Sequence, residues 1–225
     1  MNKKLFVVFA VLAMAALACT GSNLLPGGAG GGGGAAPSPT PENILFQDDF
    51  GDSNSGWEIG EYEGGDVGYK DGAYFVTSTG MDIMMWGVAN RSLDNVIVEV
   101  DATQISAGPD DNNAYGVVCR EQEGGGSGYY LRISGDGLYS IYKAENEDFT
   151  ALVDWTTSDA INQGNATNHI QAMCNGSTLE LSVNGQRLGS AEDSTFSAGD
   201  IAFSATTYEE TMAEIHFDDL VVRKP

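Results

Sequence analysis

The chain has 225 residues, and its 10 Lys and Arg face 32 Asp and Glu, a formal net charge of −22. A field of that sign repels nucleic acid and anionic lipid headgroups and favours cations, so nucleic-acid binding is set aside. From the N-terminus, Lys3 and Lys4 precede LFVVFAVLAMAALA, an unbroken apolar run of 14 residues from Leu5 to Ala18. The run is too short to cross a bilayer comfortably. Its basic start and small-residue end are those of a secretory leader, so residues 1–18 read as a signal peptide and the chain as exported.

The leader ends in ALAC, and this resembles the lipobox of bacterial lipoproteins, with Ala16 standing where Leu is commonest. The resemblance implies that Cys19 is acylated, with palmitate among the expected chains, and becomes the new N-terminus. The alternative is a soluble secreted protein with an incidental Cys. Acyl chains contribute about 0.8 kcal/mol per buried CH2, so two or three anchor a chain stably. The expected location is the cell envelope, lipid-anchored to the bilayer and facing outside the cytoplasm.

Residues 19–43 continue from that Cys as TGSNLLPGGAGGGGGAAPSPTPEN, uncharged before Glu42 and stiffened at Pro37, Pro39 and Pro41. With few large apolar groups the segment reads as a flexible linker, reaching about 27 Å by random-coil scaling. Its glycines lack the preceding strand and following helix of a phosphate-binding loop.

Residues 44–225 form one domain with room for a sizeable core. Short alternating runs recur between Gly, Asp and Asn: AYFVTS, NVIVEVDATQ, YGVVCR, YYLRIS, LYSIYK, LELSV, IAFSA and AEIHFDDLVV. Asp136-Gly137 and Asn184-Gly185 sit where tight hairpin turns belong. Only Ser158 to Ile161 suggests a helical turn. The fold class is all-β, an antiparallel β-sandwich. Cys119 and Cys174 lie in strand-like runs and form an even pair, read as a disulfide or as two buried thiols. Zinc is disfavoured, because His169 and His216 are the only histidines.

ILFQDDFGDSNSGW, VEVDATQ, NNAYGVVCR, GYYLRIS, NHIQAMCNGSTLELSVNGQRLG and IHFDDLVV together resemble the concanavalin A-like lectin/glucanase jelly roll. The likeness is to its laminin G-like and 3-keto-disaccharide hydrolase-like (DUF1080) branches, and it spans residues 44–225. It specifies a fold that hosts lectins, glycosidases and adhesion modules alike.

Strand alternation sets Val96, Val98 and Val100 against Glu99, Asp101 and Thr103. It sets Arg120 against Cys119, Tyr130 and Arg132 against Leu131 and Ile133, and Tyr142 against Ile141. If those strands neighbour one another in the concave sheet, as the resemblance implies, Glu99, Asp101, Arg120, Tyr130, Arg132 and Tyr142 gather in a sugar groove. The competing reading is cross-strand charge pairs on a solvated face. A retaining glucanase of this fold carries Glu-x-Asp-x-x-Glu; here Glu99 and Asp101 are followed by Gln104, and an amide can neither give nor recover the proton. The two Arg would moreover hold the acids ionised.

Of the tryptophans, Trp57 and Trp86 suit burial and Trp155 suits a groove rim. Asp48, Asp49, Asp52, Asp218 and Asp219 fall on runs that pair in this fold family, a candidate structural Ca2+ set or a row of solvated edge acids. The expected function is a membrane-anchored envelope lipoprotein displaying a non-catalytic carbohydrate-binding or adhesion domain. Polysaccharide or another surface glycan is its expected partner, and the oligomeric state is left open. The alternatives are a glycoside hydrolase of the 3-keto-disaccharide type and a structural scaffold.

Overall fold

The computed structural model describes residues 43–123, 126–146 and 148–225. The leader, Cys19 and nearly all of the linker lie outside them. The first five strands are β1 (Ile44–Asp48), β2 (Gly60–Tyr62), β3 (Gly65–Lys70), β4 (Ala73–Ser78) and β5 (Ile83–Val88). There follow β6 (Val96–Ser106), β7 (Asn113–Glu121), β8 (Gly128–Ser134), β9 (Leu138–Glu145) and β10 (Asp148–Thr157). The last are β11 (Thr167–Asn175), β12 (Thr178–Val183), β13 (Gln186–Glu192), β14 (Asp200–Thr207) and β15 (Ala213–Arg223).

They form two antiparallel layers, as expected. The larger runs β13-β12-β11-β6-β15-β4-β3-β2, with β1 also paired to β15. The smaller runs β10-β9-β8-β7-β14. Strand β5 lies against β14, the amides of Asp82 and Ala89 bonding the carbonyls of Thr207 and Ile201 at 2.8 Å. The β12–β13 loop is the expected two-residue turn, Asn184 and Gly185 both having positive φ (51° and 78°). Ser158 to Ile161 makes a single turn, closed by the Ile161 amide on the Ser158 carbonyl at 3.3 Å.

Alternation explains why the layers meet. Val96, Val98, Val100 and Ala102 of β6 point inward, while Glu99, Asp101 and Thr103 are half-buried on the outer side. Leu131, Ile133 and Ile141 face them from the smaller sheet. Trp57 is a core residue, stacked on Phe203 with ring centroids 4.6 Å apart. Cys119 on β7 and Cys174 on β11 are joined in a disulfide with Cα atoms 6.6 Å apart, a covalent link between the two layers.

Arg120 breaks the alternation. The β7–β14 register slips between Asp200 and Ile201, and Arg120 takes a left-handed φ of 55°. This β-bulge turns its side chain away from the outer face, so the expected place of Arg120 in a groove is corrected. Only 2 % exposed, its guanidinium bonds the carbonyls of Asp94 (3.0 Å), Gly176 (2.8 Å) and Phe196 (2.8 Å) and Asn95 Oδ1 (3.3 Å).

Candidate functional site

The six residues expected to share one groove are divided between the layers. Glu99 and Asp101 lie on the outer face of the larger sheet, whereas Tyr130, Arg132 and Tyr142 lie on the outer face of the smaller one. The premise that these strands neighbour one another is therefore corrected: β6 pairs with β11 and β15, not with β7 or β8. Nor do Arg120 and Arg132 face the two acids. Glu99 instead accepts from Arg223 (2.7 Å) and Gln171 (3.1 Å), and Asp101 meets His169 Nδ1 at 2.6 Å. These are cross-strand pairs on a partly solvated face, worth little to stability and already satisfied. Gln104 points inward, its amide donating to Asp111 and Asn165 at 2.7 and 3.2 Å.

The outer face of the smaller sheet is built differently. Reading across β9, β8, β7 and β14, one row of opposed residues is Tyr142, Tyr130, Val118 and Ala202. Met84 and Trp86 of β5 extend this apolar row, which has its own cluster apart from the central core. One step along the strands, the next row is Ser140, Arg132, Gly116 and Ser204. At about 4.8 Å per strand the row is roughly 14 Å wide. Gly116 has a φ of 154°, and a Cβ there would strike the Leu131 carbonyl, so the row is bare at that point. Thr206 follows on β14.

The polar row is left without partners. Ser140 Oγ, Ser204 Oγ, Thr206 Oγ1 and Arg132 Nε are buried, and none has a hydrogen-bond partner. Buried polar atoms are paired almost everywhere in folded proteins, so four orphans on one face call for an explanation. Arg132 sits among rings, 5.7 Å from the centroid of Tyr130, 5.3 Å from Tyr142 and 5.5 Å from Trp155. Trp155, on the edge strand β10, is half-buried beside Tyr142 (6.2 Å). Burial, with the Asp154 carboxylate nearby, pushes Tyr142 up to about 12, so its hydroxyl stays protonated.

At the other end the face runs into a cleft of about 650 Å3, whose lining includes Trp86, Glu58, Glu121 and Asp200. Burial, reinforced by the charge of Asp200, pushes Glu121 up to about 7 against the opposing Gly126 amide. Burial also raises Asp200, although Oδ1 accepts the amides of Arg91 (2.9 Å) and Ile201 (2.8 Å). Sequence reading named Arg132 but missed these three acids and the Ser140, Ser204 and Thr206 hydroxyls. The faces of Ser140 and Ser204 were available from the alternation in LYSIYK and IAFSA, but the sheet assignment was not.

A consequence follows for stability. A carboxyl whose folded pKa lies above its ordinary value of 4.5 stabilises the fold fully below that pH, and loses its contribution as pH rises through about 7. The protein is therefore expected to lose roughly 2 kcal/mol between pH 5 and pH 8 through Glu121. Glu121→Gln, an uncharged isostere, should flatten that part of the profile. Urea denaturation at the two pH values checks this, and an equal slope in the variant would sink it.

The five aspartates converge only in part. Asp48, at the end of β1, and Asp49, just after it, lie beside Asp219 around a hollow of about 370 Å3. Burial, with Asp219, Asp49 and Asp101 nearby, raises Asp218. Asp52 sits apart in a turn, bonded to its own Asn54 amide at 2.9 Å. Among the described residues no three His, Cys, Asp or Glu are grouped to hold a metal ion.

No protein-family profile matches the chain, and no curated protein matches it in sequence. Solved structures match the fold. Carbohydrate binding module CBM66 from Bacillus subtilis is 19% identical, with a TM-score of 0.54 over 76% of this chain and 96% of its own. A protein of unknown function with a galectin-like fold, also from Bacillus subtilis, is 13% identical, with a TM-score of 0.58 over 81% and 96%. A putative glycosyl hydrolase from Parabacteroides distasonis is 15% identical, with a TM-score of 0.54 over 78% and 91%. At these identities the likeness defines the fold class, a galectin-like two-sheet sandwich.

Proposed function

We propose that this protein is a lectin-like module that binds carbohydrate on the outer face of its smaller sheet, displayed from the cell envelope by lipid on Cys19. The observation that carries the reading is the pairing of two rows, one apolar and aromatic, the next polar with three buried atoms unpartnered and a fourth on Thr206 beside it. A sugar ring offers that same pairing, C–H faces for the rings and hydroxyls that can both donate and accept. Unpaired buried hydroxyls cost about 1–3 kcal/mol each, which a hydroxylated ligand would recover. The carbohydrate-binding module and the galectin-like protein of the same fold support the reading by analogy.

The test is affinity electrophoresis of the protein on gels containing neutral plant, algal and bacterial polysaccharides. Retardation is expected on at least one. Tyr142→Ala and Trp155→Ala, both half-buried at the open side, should weaken it roughly tenfold without changing the thermal midpoint. Retention on no gel would sink the reading.

A second reading, glycoside hydrolysis, draws on Glu121, which keeps its proton to about pH 7 beside the cleft and so suits a general acid. Asp200, the carboxylate nearest to a second role, is held by two backbone amides, an arrangement suited to structure rather than attack. Hydrolysis requires release of reducing ends that Glu121→Gln abolishes while gel retention persists.

A further inference from the structure

Arg132 is a buried cation on this face, and among the described residues no carboxylate pairs with it. In a chain with 32 acidic and 10 basic residues a counter-charge is easily supplied, and Lys70, Lys143, Arg187 and Arg223 each have one. Arg120, the other buried guanidinium, is met by four oxygens. Arg132 is 4 % exposed, has no ion pair, and its Nε has no acceptor. Three ring faces at 5.3–5.7 Å hold it in place and partly offset its desolvation. They leave its Nε without an acceptor.

A guanidinium set among three rings, with its Nε unfilled, suits the planar oxygens of an anion. Ser140 flanks it on β9, and beyond bare Gly116 stands Ser204, so hydroxyl-bearing groups can continue along the row. Resting on the carbohydrate reading above, we infer that the groove takes an acidic sugar, whose carboxylate or sulfate oxygens receive the N–H groups of Arg132. Around the groove, Asp154 lies by Tyr142 and Glu121 by Tyr130, and the net charge of −22 repels anions at long range. The preference is thus a short-range contact and persists at 150 mM salt, where the Debye length is about 8 Å.

The experiment compares binding of the full chain, at that salt, to polygalacturonate and its fully methyl-esterified form, and to dextran sulfate and dextran. Polygalacturonate is expected to bind roughly 10- to 100-fold more tightly than its ester if carboxylate is read, and dextran sulfate than dextran if sulfate is read. Arg132→Gln should erase the preference, so that each acidic polymer and its neutral counterpart bind the variant equally, whatever the variant loses in binding both. Arg132→Lys, which keeps charge but not the fork, should keep a reduced preference; it also serves if the Gln variant fails to fold by circular dichroism. Equal binding of each acidic and neutral pair by the wild type, or an unchanged preference in both variants, overturns the inference. Retention of neutral glycans without acid preference would defeat this inference alone, whereas no binding to any polymer would defeat the carbohydrate reading itself.

Discussion

Arg120→Ala is expected to lower the unfolding free energy by about 3–5 kcal/mol, measured by urea denaturation. Four oxygens, three of them backbone carbonyls, converge on its guanidinium from three separate loops, around Asp94, Gly176 and Phe196. Removing it strands those acceptors in a site closed to water, each at a cost of about 1–3 kcal/mol before relaxation. Arg120→Lys should recover only part of the loss, since one ammonium cannot reach all four. Arg120→Gly should be less harmful than Ala by roughly 1 kcal/mol, because the left-handed φ of 55° suits Gly. A change below about 1 kcal/mol in the Ala variant would show that the loops hold without it.

Loss of the disulfide is the second large effect. Cys119 and Cys174 are 55 residues apart, and both are fully buried between the layers. Closing a loop of that length stabilises by about 4 kcal/mol in the chain-entropy account. The Cys119→Ala/Cys174→Ala double variant should lose that amount, and the reduced wild type should match it. Because the bond is inaccessible in the native state, reduction should proceed only as fast as the protein opens. Rapid reduction of the folded protein by a mild thiol would contradict the burial.

The fold was legible because its cues are local. Period-two alternation in VIVEVDATQ and YYLRIS, and turn residues such as Asn184-Gly185, are properties of adjacent residues, and each settled as read. The faces of Tyr130, Arg132 and Tyr142 were correct for the same reason. What failed was the grouping. Which layer a strand joins depends on contacts far apart in sequence, and Glu99 and Tyr130 have equivalent outward positions in opposite sheets. Arg120 failed for another cause: a single inserted residue inverts alternation, and the one Gly of YGVVCR, Gly116, lies four residues before the bulge and does not announce it. The acids of the cleft were missed because Glu121, Asp200 and Glu58 come from three distant segments and only burial sets them apart.

The pairing of β1 with β15 brings the two ends of the described domain together, Lys224 donating to the Asn43 carbonyl at 2.9 Å. The chain thus enters and leaves at one point, within the layer opposite to the groove. A short bridge between those ends would close the domain into a ring. New termini could then be opened in an exposed hairpin such as Asn184-Gly185, giving a circular permutant with the same two sheets. By the same geometry the domain could be spliced into a surface loop of a host protein as a cassette, its groove still turned outward.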